Sequence, residues 1–247
     1  RRQRQMCIRD STYGEALQNA LTPVLKTLHQ IPTQLQQMAL EREKTIRLNV
    51  LAASTLVTQA LISYKKDHDG LHFRLIQNSQ CEDADITVFT RENFQIPTDT
   101  KERYELFKER IFLAVPHNSP YASEESVHLQ DFAHEDFISL SGSRSIRTIC
   151  DRYCMQAGFV PHIIYESDSP DTVKNLIASG LGVGFWPHYT WGMDSMEQIR
   201  LLPIAEPTCQ RAIILQLHRH ARGQEAVCSF YAFLSRYLRQ LKAAEQH

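Results

Sequence analysis

Nowhere in these 247 residues does an apolar run approach the roughly 20 residues that a membrane-crossing helix needs. No charge of one sign dominates either: 27 Lys and Arg stand against 28 Asp and Glu, a formal net charge of -1. A chain that coats nucleic acid or anionic lipid along its whole length is far more lopsided. Any DNA affinity must therefore come from a local basic element or from a domain outside these residues. The opening RRQRQMCIRDS is charged but has no apolar stretch behind it, so it does not read as a secretory signal, and a cytoplasmic protein without a membrane partner is expected.

Metal and redox signatures are sparse. Cys7, Cys81, Cys150, Cys154, Cys209 and Cys228 are scattered, and a chain of this length does not need disulfide staples. Cys150 and Cys154 form the only close pair, four apart on a helix face, and no second pair or histidine cluster completes a zinc set. Two small buried thiols are expected there, with no metal and no cofactor. Catalytic motifs are missing as well: there is no phosphate-binding loop, no G-x-S-x-G elbow and no HExxH. Gly180, Gly182 and Gly184 are tightly spaced, but they follow a helix and run into a strand, the reverse of the order that phosphate binding needs. His218 and His220 share a face near a strand end without a third ligand, which reads as solvent-facing histidines.

What is present falls into two textures. In the first, Leu17, Leu21, Val24, Leu28, Ile31, Leu35 and Met38 recur at alternating steps of four and three, the a/d seam of a coiled coil. Their flanks (Gln18, Asn19, Lys26, Gln30, Gln34) are polar, so the stripe is narrow and suits a partner helix better than a broad core face. Pro23 and Pro32 oppose a continuous helix. One resolution has Thr22 as cap and Pro23 as first helical residue. The charged EREK closes the segment.

From Thr45 onward strands alternate with helices. TIRLNV is followed by the small-residue turn AAST and an apolar helix around Leu56–Tyr64; LHFRLIQ, ADITVF, RIFLAV, FISLS, HIIYE, GVGFW and AIILQLH are further strands. This order predicts an α/β fold with largely parallel sheets. Two helices are well punctuated. One carries Ile146, Ile149, Cys150, Tyr153 and Ala157 on one face, with Ser143 or Ser145 as cap and Gly158 as stop; the other has Ser169 as cap, Pro170 first, Asp171 favouring the dipole and Gly180 as stop. A closing helix presents Val227, Phe230, Leu234, Tyr237 and Leu241. Hydroxyls stand at strand ends beside helix starts: Ser54 and Thr55, Thr90, Ser141 and Ser143, and Ser169. Each alone reads as a cap, and several converging on one cleft would make a small-molecule site.

The segment FISLSGSRSIRTICDRYCMQAGFVPHIIYESDSPDTVKNLIASGLGVGFWP resembles the core of the effector-binding domain of LysR-type bacterial regulators, with Leu176, Gly180, Gly182 and Pro187 on the family's glycine-rich pattern. STYGEALQNALTPVLKTL is similar to the family's passage into its linker helix. The resemblance runs from Ser11 to the C-terminus. It implies two Rossmann-like subdomains of periplasmic-binding-protein type II architecture, preceded by a long linker helix. Residues 1–11 are left unassigned, 12–44 form the linker, and 45–247 the effector-binding domain, with subdomain I at 45–115 and 209–247 and subdomain II at 116–208. Leu17, Leu21, Val24, Leu28, Ile31 and Leu35 then make the dimerisation seam of a homodimer or homotetramer. Effector contacts fall on Ser54, Thr55, Thr90, Ser141, Gly142, Ser143, Phe185 and Trp186. The hydroxyls and helix-end amides would hold a polar head such as a carboxylate, and Trp186 an apolar wall; plain core packing is an equal alternative for Phe185 and Trp186. The family binds DNA through a winged helix-turn-helix ahead of the linker, which RRQRQMCIRD does not resemble, so the chain reads as truncated. The span from Gln77 to Phe89 also has no room for the helix usual there. A periplasmic solute-binding protein shares the architecture and is the alternative, and an enzyme on an α/β scaffold lacks any nucleophile–base pair to support it.

Overall fold

The computed structural model describes residues 11–77, 79, 81–92, 96, 101–141, 145–192 and 197–244. The chain divides into two compact units, Arg1–Thr45 and Ile46–His247.

The first unit is built on helix α1 (Thr12–Glu43). Ser11 caps it: its hydroxyl accepts from the Gly14 amide at 3.1 Å and its carbonyl from the Glu15 amide at 3.0 Å. The helix runs without a break through Pro23 and Pro32, so a helix start at Pro23 is overturned. Each proline removes one backbone bond from a 32-residue helix. Thr22, instead of capping, turns its hydroxyl back onto the Gln18 carbonyl at 2.6 Å, and Thr27 does the same to Pro23 at 2.9 Å. The seam residues Leu17, Leu21, Val24, Leu28, Ile31 and Leu35 are all between 39% and 60% exposed.

The second unit contains β1 (Thr45–Val50), α2 (Ser54–Lys65), β2 (His72–Gln77), β3 (Ile86–Arg91), β4 (Arg103–Pro116), β5 (Val127–His128), β6 (Asp136–Leu140), α3 (Ser145–Gln156), β7 (His162–Ser167) and α4 (Pro170–Ala178). These are followed by β8 (Gly184–Pro187), the short α5 (His188–Trp191), β9 (Ile199–Leu202), β10 (Ile204–Glu206), β11 (Gln210–Leu217) and α6 (Glu225–Ala244). The main sheet has the order β2-β1-β3-β11-β4-β8, with β9 also on β4. β1 and β3 are parallel, as are β6 with β7 and β5 with β10. The expectation of largely parallel sheets is corrected here. β11 runs antiparallel to both β3 and β4, and β4 runs antiparallel to β8 and β9, because two long strands pass back through the sheet.

β4 explains the layout. Its first half, Arg103–Arg110, pairs with β11, while its second half, from Ile111 to Pro116, pairs with β8 and β9. The strand thus leaves one hydrophobic core and enters another. The first core gathers Ile46, Leu48, Ile86, Ile213 and Leu215 from one sheet face against Leu56, Val57 and Ala60 of α2 and Val227, Phe230 and Leu234 of α6. The second gathers Leu113, Val115, Phe137, Ile138, Ile149, Cys150, Ile177 and Trp186. Strand alternation puts every second residue on the packed face, and the helices supply matching stripes.

The punctuation signals read from sequence have physical counterparts. Ser169 accepts from the Thr172 amide at 3.4 Å ahead of Pro170, and Gly158 and Gly180 end their helices at φ +89° and +78°. Ser145 is itself helical, and Ser143 lies outside the described residues. Between β2 and β3 the described residues form turns and bends.

Candidate functional site

A cavity of about 230 Å³ lies where the carboxyl end of β1 meets the amino-terminal ends of α2 and α3. Val50 to Ser54 and Gln77 line it from the side of the first core; Leu140, Ser145, Ile146, Asp168, Pro170, Pro187, Thr190 and Trp191 line it from the side of the second, and Arg211 from β11. Carboxyl ends of strands beside helix starts are where open α/β sheets bind ligands, because unpaired amides point there. At α2 those amides have no side-chain cap. Ala53 occupies the cap position in a left-handed conformation, φ +59° and ψ +35°, which costs an alanine about 1–2 kcal/mol.

Beside the cavity sits a buried polar cluster. Glu109 on β4 is fully buried, and Arg211, directly opposite it on β11, is 3% exposed. The Arg211 Nε donates to Glu109 Oε2 at 2.6 Å, and its Nη2 donates to Thr190 Oγ1 at 2.9 Å. The Thr190 amide and hydroxyl both donate to Glu109, at 2.6 and 3.0 Å. α3 is tied to the strands of the first core as well: Thr90 Oγ1 and Ser145 Oγ are 2.6 Å apart, Arg152 pairs with Glu92, and the Tyr153 hydroxyl donates to the Gln210 carbonyl at 2.6 Å.

The residues picked out from sequence distribute unevenly around this cavity. Ser54 lines it, and Thr90 reaches it through Ser145. Thr55 is exposed on α2. Ser141 is half-buried, its amide donating to the Ser167 carbonyl at 2.9 Å, while Gly142 and Ser143 lie outside the described residues. Phe185 stacks on Phe137 at 5.8 Å, and Trp186 is buried in the second core with its Nε1 donating to the Gly192 carbonyl. The aromatic wall of the cavity is Trp191, set edge-on to Trp186 at 5.3 Å. Trp191, Thr190, Glu109 and Arg211 were not legible as site residues. The one signal for the last two is a charged residue within or beside an apolar strand run, RIFLAV and AIILQLH, which only pairing could bury.

Other sequence features find ordinary roles. A Cβ on Gly182 would stand 2.6 Å from the Asp136 carbonyl oxygen, and one on Gly184 2.8 Å from that of Ile138, so these glycines permit close packing. Burial pushes the Cys154 thiol up to about 12 and raises Cys150 and Cys209 as well, which leaves these free thiols unreactive. His218 is half-buried rather than solvent-facing, 2.8 Å from Thr87 Oγ1 and stacked near His220. Burial lowers its imidazole below the ordinary histidine value, and His220 adds to this while Glu102 and Asp85 oppose it. Among the described residues no group of three His, Cys, Asp or Glu is placed to hold a metal ion, and no helix is long and apolar enough to cross a membrane.

A cavity between two cores, both of which strand β4 enters, defines a two-lobed ligand-binding module. Residues 40–239 match the model of the LysR substrate binding domain, and the chain belongs to that family. It is 25% identical over 209 residues to the uncharacterized HTH-type transcriptional regulator YybE of Bacillus subtilis (strain 168), covering 81% of this chain and 70% of that protein. It is 25% identical over 200 residues to the transcriptional dual regulator GltC of the same organism, covering 77% of this chain and 65% of that one. In fold it is similar to the effector binding domain of QuiR in complex with shikimate, with a TM-score of 0.63 and 18% identity over 79% of this chain and 97% of that one.

Proposed function

We propose that this chain is the effector-sensing and oligomerising portion of a cytoplasmic LysR-type transcriptional regulator, without catalytic activity of its own. The observation that carries the reading is the cavity, with Ser54, Ser145, Thr190 and Arg211 around it and Trp191 as its apolar wall. The shikimate complex of the QuiR domain supports a small molecule as its occupant. In this reading residues 45–115 and 209–247 form one lobe and 116–208 the other, and the ligand favours one arrangement of the lobes only by its differential affinity for it. Ala114, His117 and Thr208, neighbours of the prolines at the two crossings, would take the rotation. Ser54, Thr55, Thr90, Ser141, Gly142 and Ser143 are proposed to serve the polar head. The seam of α1 would pair with a second copy, and DNA would be contacted by a winged helix-turn-helix ahead of α1 in the whole protein, consistent with the 65–70% of its relatives' length that this chain spans.

A thermal-shift screen of small metabolites against the 247-residue chain tests this. A binder is expected to lose about 0.5–1.5 kcal/mol of affinity in Ser54→Ala if that bond is neutral, and about 1.5–3 kcal/mol if the head is charged. Binders indifferent to Ser54→Ala and Trp191→Ala alike would contradict the site.

A further inference from the structure

Resting on the reading of the cavity as a ligand site, we infer that Lys174 and Glu109 are positioning residues: they clamp helix α5 from its two ends, and α5 thereby ties the aromatic wall of the cavity to both cores. Neither residue lines the cavity itself. Helix α5 is a single turn of four residues, His188–Trp191, and Pro187 at its start offers no side-chain cap. A lone turn does not hold itself in water, because it fixes several residues for one backbone bond. Its position must be set from outside.

At the amino end Glu109 does this, accepting from the Thr190 amide at 2.6 Å and from its hydroxyl at 3.0 Å. At the carboxyl end Lys174 of α4 donates from Nζ to the Trp191 carbonyl at 3.1 Å. A carboxylate toward the free amides and an ammonium toward the free carbonyls also match the helix dipole. The Lys174 ammonium lies 5.2 Å from the centre of the Trp186 ring and 5.7 Å from that of Trp191, so it holds the indole by its charge as well as by the backbone bond.

The two clamps belong to different parts of the fold. Glu109 is paired with Arg211 on β11, just before β4 passes from the first core to the second. Lys174 follows Val173 on α4, which packs in the second core. Between the clamps, Tyr189 packs on the first core and Trp191 in the second. A shift of Trp191 at the cavity wall therefore strains the bonds of Thr190 to Glu109 and Arg211, and is felt where β4 changes cores. Replacing both members of a buried ion pair by apolar residues is often neutral for stability, so positioning can be separated from folding by experiment.

Trp186 and Trp191 are the chain's two tryptophans, 1% and 8% exposed, so intrinsic fluorescence of the full chain without ligand reads α5 directly. Lys174→Met keeps the apolar stem and removes the donor. It should red-shift the emission and steepen quenching by acrylamide, and Lys174→Arg should restore the wild-type values. The double variant Glu109→Met with Arg211→Met should expose Trp191 in the same way while its denaturation midpoint holds. Wild-type quenching in both the Lys174→Met and the double variant, or quenching in Lys174→Arg equal to that in Lys174→Met, would overturn the inference. Should a variant fail to fold, amide exchange of the wild-type chain decides: the Thr190 amide should exchange as slowly as those of β4 and β11, and fast exchange overturns the clamp. A screened compound weakened by Trp191→Ala should also be weakened by Lys174→Met and recovered by Lys174→Arg. Indifference to Lys174→Met would sink the positioning role and leave the cavity reading standing. If no compound is sensitive to Trp191→Ala, the cavity reading falls, and with it the role of α5 in binding, whatever the quenching shows.

Discussion

Helices α1 and α6 carry apolar stripes of similar spacing, yet they treat them in opposite ways. In α6, Val227, Phe230 and Leu234 are fully buried against the sheet and α2. In α1, Leu21, Leu28 and Leu35 stand 45%, 53% and 60% exposed. Sequence periodicity announces that a helix has a face to bury, and does not say in what. Composition around the stripe does: α6 is broad and aromatic, with Tyr231, Phe233 and Tyr237 flanking the face, whereas α1 is a narrow aliphatic line among glutamines. The prolines divide the two in the same way. α1 carries Pro23 and Pro32 inside it, which a helix held by a tight core packing would tolerate less readily.

The contrast is sharpest in a pair of matched truncations. Phe230→Ala should destabilise the globular unit by about 3–5 kcal/mol, read from chemical denaturation, because it opens a cavity where a fully buried ring now sits. The same measurement on Leu28→Ala should move by no more than about 0.5 kcal/mol. A large loss there would mean that the α1 stripe is packed within its own chain, and the comparison would break.

Next in size is Pro32→Ala. An interior proline costs a helix about 3 kcal/mol relative to alanine, so this replacement should raise helicity by circular dichroism and slow fraying of α1. The midpoint of the globular unit should stay in place.

Leu28→Ala should show its effect in association instead. Sedimentation equilibrium should report self-association weakened by about 1.5–3 kcal/mol for each helix whose leucine leaves an interface. An unchanged constant would remove the seam.

The smallest effect is a pH term in the globular unit. Burial depresses His218, so the folded state resists protonation that the unfolded state accepts. The unfolded chain then binds more protons just below the ordinary histidine value, and stability present above that value falls as pH drops through the window beneath it. Denaturation midpoints should decline on acidification there, and His218→Gln should flatten the decline. A midpoint that rises on acidification would contradict the assignment.

Much of the fold was legible because its signals are local. The strands, the cap at Ser169 and the stops at Gly158 and Gly180 follow from alternation and backbone preference within a few residues. The mixed direction of the sheet was not, because β4 and β11 meet across about a hundred residues and no local pattern records which way a returning strand runs. The site was legible in part for the same reason. Ser54 could be found because a strand-to-helix turn marks itself. Trp191 lies just past a strand that pointed instead to Trp186, and the Glu109–Arg211 pair depends on a cross-strand register that neither strand shows alone. A threonine before a proline is a good cap signal, which makes Thr22 one resolution of the proline difficulty, but the helix continues through it.

The central claim is that a small molecule occupies the cavity between the two cores. Amide hydrogen exchange, with and without the compound giving the largest thermal shift, tests it most directly. Exchange is expected to slow at the starts of α2 and α3 and at α5, around Ser54, Ser145 and Thr190, with little change along α1. Protection confined to other surfaces, or none at saturating compound, would contradict it.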